Sequence, residues 1–95
     1  MHLTPEQVQQ MAPDEASAAA GKKLQSIKLW HNLGQSDVAF WGECQGSATY
    51  QVKVDRSNLG YKCSCPSRKF PCKHVLGLLL LAASSVSRRI PSFHN

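Results

Sequence analysis

The chain has 95 residues, 42% of them apolar, and a net charge of +5, which bounds it to one small domain that is marginally stable unless something staples it. Its longest apolar run, Val75 to Ala83, is nine residues, far short of the ~20 that cross a bilayer, and MHLTPEQVQQ has neither the basic head nor the apolar stretch of a secretory signal. The expected setting is therefore cytoplasmic, where thiols stay reduced. Charge divides unevenly: residues 1–55 carry four Lys/Arg against six Asp/Glu, whereas residues 56–95 carry seven Lys/Arg and no acid.

Thr4-Pro5-Glu6-Gln7 predicts a helix start, with Thr4 as N-cap, Pro5 at the first helical position and Gln7 as capping-box partner. A second short helix is predicted from Pro13 to Ala20, with Asp14 and Glu15 in its first turn and Gly21 at its end. KKLQSIKLWHNLGQSD reads as a linker that drops Trp30 onto the core. Residues 1–37 thus form a helical and linker segment. VAFWGEC then reads as a strand and Gln45-Gly46-Ser47 as a turn. TYQVKVD alternates cleanly, with Tyr50, Val52 and Val54 on one face and Gln51, Lys53 and Asp55 on the other. After a turn at residues 56–60, Tyr61-Lys62-Cys63 opens a third strand. CKHVLGLLLLAASSV is helical in length and type, and residues 84–95 read as a loose basic tail.

Three of the four cysteines and one histidine fall within residues 63–74. Side chains two apart on a strand point the same way, so Cys63 and Cys65 share a side as the third strand runs out. Residues 66–69 give room to turn, and Cys72 and His74 fall in the first turn of the helix. Its unpaired N–H groups and dipole should lower the Cys72 pKa. Two ligands from a strand end and two from a helix start predict a Cys3His set for zinc, every position filled by protein, which is the pattern of a structural site. Thiolates disfavour magnesium and calcium. Lys62, Arg68, Lys69 and Lys73 flank the cluster and would complement its negative charge. Cys44 reads as a core residue. His31 reads as a loop residue rather than a ligand, and His2 and His94 as solvated. Phe70 reads as a lid over the zinc loop.

The order Cys-x-Cys, six residues, Cys-x-His resembles the SWIM-type zinc finger. The approach WGECQGSATYQVKVD and the apolar helix VLGLLLL resemble it too, over about residues 38–83. APDEASAAAGKKL resembles the start of uncharacterised bacterial SWIM proteins. The resemblance implies a strand–strand–helix zinc fold with Cys63, Cys65, Cys72 and His74 as ligands, and a role in protein–protein or DNA contact. Related bacterial chains continue past the helix, which suggests a module of something longer.

The predicted fold is therefore α+β: a small antiparallel hairpin or three-stranded sheet, then an α-helix around a structural Zn2+, with short N-terminal helices. No general base or substrate pocket is evident, so neither an enzyme nor a small-molecule substrate is expected, nor a membrane partner. The predicted function is a zinc-binding interaction module that contacts protein. The alternatives are weak, sequence-independent DNA binding through Arg68, Lys69 and Lys73, and a thiol redox sensor. The helix is apolar on nearly every side. Leu76, Leu79 and Leu80 should face Tyr50, Val52 and Val54, leaving Leu78 and Leu81 for the N-terminal helices, a second copy or a partner.

Overall fold

A computed structural model describes residues 4–58, 60–66, 70–84 and 90–92. Helix α1 spans Pro5–Met11 and opens with the predicted capping box: the Gln7 N–H donates to the Thr4 hydroxyl and the Gln7 side chain accepts from the Thr4 N–H. Helix α2 spans Glu15–Lys23, capped by Asp14, which accepts from the Ser17 N–H at 2.7 Å. It does not end at Gly21. A Cβ at that position would lie 2.6 Å from Leu76 Cβ, so this glycine serves a close helix crossing rather than a helix stop.

The linker reading of residues 22–37 is corrected. A 3₁₀ turn at Ile27–Leu29 leads into strand β1, Trp30–Gln35. β1 pairs antiparallel with β2, Ala39–Gln45. The register slips between His31 and Gly34, and Asn32 adopts φ 53°. This bulge breaks the two-residue alternation that would have marked the strand. Trp30 does reach the core, and its indole N–H donates to the Leu24 carbonyl at 2.7 Å.

Strand β3 is Thr49–Asp55 and β4 is Tyr61–Cys63. The four strands form one antiparallel meander in the order β1-β2-β3-β4, one strand more than the sequence predicted. Helix α3, Lys73–Ala83, packs across one face. Phe40, Cys44, Val52 and Val54 meet Val75, Leu76, Leu79 and Leu80 there. Leu78 and Leu81 are also fully buried, at 0% exposure. Val8 of α1 joins the same cluster and α2 packs along α3, so the N-terminal helices cover the leucines that the sheet does not. Each buried leucine contributes ~1.5–3 kcal/mol, which makes α3 the main apolar prop of the fold.

The tail is not loose throughout. Ile90 is buried, the Gln35 N–H donates to the Pro91 carbonyl at 2.9 Å, and the Gln35 side-chain amide donates to the Ile90 carbonyl at 3.0 Å. Residues 90–92 are thereby held against β1. Among the described residues no helix is long and apolar enough to cross a membrane.

Candidate metal centre

The centre lies at the seam between β4 and α3. Cys63 is the last residue of β4. The next residue stays in register with β3: the Ser64 N–H donates to the Gln51 carbonyl at 3.1 Å, and the Gln51 N–H donates to the Ser64 hydroxyl at 2.9 Å. Cys65 thus emerges on the Cys63 side. Cys72 is the N-cap of α3, one residue earlier than predicted, and His74 lies in the helix's first turn. Cys63 and Cys65 are half-buried, whereas Cys72 and His74 are buried.

The four ligand atoms lie within 4.8 Å of one another, and Cys63 Sγ is 3.7 Å from His74 Nδ1. A tetrahedral zinc bonded at ~2.3 Å to sulfur and ~2.0–2.1 Å to nitrogen needs a sulfur–nitrogen edge of about 3.6 Å. The residues therefore fit such an ion, with Nδ1 as the histidine donor. Residues 49–83 match the family model of the SWIM zinc finger. The chain carries a SWIM zinc finger. No curated protein and no solved structure matches it significantly.

The matched segment runs from β3 through α3, so the finger supplies half of the sheet and the central helix. Around its cysteines, burial raises the proton affinity of the thiols. Cys63 is pushed up chiefly by desolvation. Cys72 is also raised, burial outweighing the stabilising Val75 backbone N–H. The predicted net lowering at the helix start does not hold for the cation-free cluster: the Cys72 side chain makes no full cap hydrogen bond, and desolvation of the thiolate is the larger effect. His74 is pushed down by burial and by the neighbouring Lys73 charge. Burial thus favours the neutral forms of Cys63, Cys72 and His74, and a divalent ion would repay the desolvation of the thiolates it binds.

The other sequence candidates divide. Cys44 is buried at 1% exposure and stands outside the four-ligand group, as predicted. His31 is not in a loop: it lies in β1 opposite Glu43, away from the centre. Lys62 does not flank the cluster. Strand alternation turns it to the opposite sheet face, where it lines a separate cavity. Of the cluster's predicted basic neighbours, Lys73 is in place, while Arg68 and Lys69 lie outside the described residues, as do His2 and His94. Phe70 is no buried lid. It is 42% exposed and stacks on Tyr61 with ring centroids 6.1 Å apart.

One neighbour was missed. Tyr50 lies with its ring centroid 4.5 Å from that of His74, and its hydroxyl hydrogen-bonds Ser47 at 2.9 Å. It fixes the imidazole from the sheet side. The alternation of β3 put Tyr50 on the helix face, but nothing in the spacing set it opposite the histidine.

Proposed function

We propose that the finger holds one structural Zn2+ through Cys63, Cys65, Cys72 and His74, and that it serves a larger protein or complex as a non-catalytic recognition module. The observation that carries this is the closed ligand set. Four protein donors converge from a strand end and a helix start, which leaves no open position of the kind a catalytic zinc keeps. The ion would tie β4 to α3 and so fix the central helix on the sheet. Elemental analysis should find one zinc per folded chain. A folded sample with well under one equivalent overturns the reading.

Two partner classes remain, protein and nucleic acid. The surface argued for protein was an exposed leucine face of α3, and the burial of Leu78 and Leu81 removes that support. The seven positive residues and no acid over residues 56–95 favour a polyanion. Helix α3 carries leucines where a groove-reading helix carries Arg, Asn or Gln, so binding is sequence-independent. Its affinity falls in the non-specific range of ~10⁻⁴–10⁻⁶ M at physiological salt. The triple change Arg68→Ala, Lys69→Ala, Lys73→Ala, with zinc content checked, tests the zinc loop as the contact. Unchanged affinity removes that loop from the surface.

A further inference from the structure

The sheet has two edges, and the fold treats them differently. Along β1 the register slips at a bulge where Asn32 adopts φ 53°. Residues 90–92 cover the end of that edge, with the Gln35 N–H donating to the Pro91 carbonyl and Gln35 bridging to Ser92. Bulges and covering segments protect a sheet edge from pairing. Strand β4 has neither among the described residues, where β3 is its one strand neighbour.

The bonding parity of β4 fixes which groups face outward. The Gly60 carbonyl accepts from the Asp55 N–H at 2.7 Å, and the Ser64 N–H donates to the Gln51 carbonyl at 3.1 Å. In an antiparallel ladder bonded and non-bonded pairs alternate, so residues 60, 62 and 64 bond β3. Tyr61 and Cys63, opposite Val54 and Val52, turn their main-chain N–H and C=O groups away from β3. Those four groups can bond an added strand.

The side chains along this edge specify its chemistry. On the outer face Lys62 is exposed and sits directly opposite Lys53, and like charges so placed destabilise a sheet. Asp55, whose charge reaches Lys53, is itself held by the Ser57 N–H and hydroxyl at 2.8 and 2.6 Å. On the α3 face Tyr61 stacks with Phe70, which is 42% exposed. A hollow of about 370 Å³, lined by Asn58, Gly60, Tyr61 and both lysines, leaves room at the start of the edge. A second copy is a poor occupant: the register that uses both Tyr61 and Cys63 sets Lys62 against Lys62 of the other copy.

We propose that β4 takes an extended segment of a protein partner as a fifth, antiparallel strand. The segment alternates apolar and acidic side chains, with a carboxylate opposite Lys62 and an apolar side chain on the Tyr61–Phe70 stack. The inference rests on the recognition-module reading and gives that module a protein contact apart from the zinc loop. Main-chain bonds supply affinity in this mode and alternate side chains supply specificity.

The test uses the full zinc-loaded chain and a fluorescein-labelled peptide of alternating valine and glutamate, titrated by anisotropy. Lys62→Glu should weaken binding roughly 2- to 30-fold, and a valine–lysine peptide should recover it. N-methylation of two valines removes hydrogen bonds to Tyr61 and Cys63 and should weaken binding roughly 5- to 100-fold; N-methylation of two glutamates, whose N–H groups point the other way, should cost less. Amide exchange at Tyr61 and Cys63 should slow on binding, and that at Lys62, already bonded to β3, should not. Five results overturn the proposal: no peptide binding at low salt; a scrambled peptide of equal composition binding equally; glutamate methylation costing as much as valine methylation or more; an oligonucleotide binding with the same Lys62 dependence while the peptide does not, which gives the surface to nucleic acid; or a dimer of the chain that protects the same amides without peptide, which makes a second copy the occupant. Zinc content read on the same samples separates two failures. A folded chain that binds peptide without zinc overturns the metal reading alone, and a zinc-loaded chain that does not bind overturns the docking alone.

Discussion

Lowering the pH of the zinc-loaded finger from 8 to 7 should weaken its apparent zinc affinity by at least about 100-fold. Zinc binds thiolates, so each coordinated thiol that is protonated in the cation-free state must release a proton. Cys63 and Cys72 are both pushed above the ordinary thiol range by burial, so both carry protons throughout that window. Two protons displaced give a tenfold change each per pH unit, about 1.4 kcal/mol apiece. His74 is pushed below its ordinary value, so it adds a further proton only as the pH falls through that lowered value. Metal-loaded protein should therefore weaken steadily from pH 8 downwards. Competition with a chromophoric chelator, corrected for the chelator's own protonation, gives the affinity at each pH, and thermal melts follow the loaded chain. An affinity that changes by tenfold or less per pH unit would refute coordination by both buried thiolates.

Cys63→Ser, Cys65→Ser, Cys72→Ser and His74→Ala should each cost the chain its zinc, measured by elemental analysis, with loss of cooperative melting. Cys44→Ser should keep the metal while lowering stability by ~1–3 kcal/mol, because it buries a hydroxyl in the apolar core. A strong chelator should remove the finger's circular dichroism signal together with its zinc, and a spectrum unchanged after zinc has left would show that the core stands alone. Gly77→Ala should destabilise despite a helix-propensity gain of ~1 kcal/mol. Its new Cβ would meet Leu24 Cβ at 2.8 Å and the Leu24 carbonyl oxygen at 3.2 Å, and overpacking costs ~1–3 kcal/mol; a raised melting midpoint would refute the close-packed crossing.

The elements legible in the sequence were those whose signal is local. Thr4, Pro5 and Gln7 mark a capping box within four residues, and the alternation of residues 49–55 marks a strand with its inner face. The four metal-site residues share one short segment, so strand and helix periodicity alone brings them together. What was hidden depends on contacts distant in sequence. β1 is a strand because β2 lies beside it, and its bulge at Asn32 erases the periodic trace. Gly21 has the look of a helix terminator until α3 is laid against it, when it becomes the only residue small enough for the crossing. The placement of Lys62 failed for another reason: flanking a motif in sequence is not flanking it in space, and one step along a strand reverses the face.

The arrangement as a whole separates support from recognition. Helix α3 is enclosed by the sheet on one side and by α1 and α2 on the other, and Gly21 and Gly77 let α2 approach closely enough to complete that enclosure. The metal centre sits where α3 begins, so an ion there would set the helix's position against β3 and β4. An apolar helix so fully covered has little left to offer a partner. Among the described surfaces, the back of the sheet is polar and faces outward. On the back of the sheet the same strand alternation that sends Tyr50, Val52 and Val54 inward sends Gln51 and Lys53 outward, in line with Trp41 and Lys62. A strand that builds the core on one side thereby lays out a polar row on the other, and a zinc ion that fixed α3 to the inner face would hold that row in register.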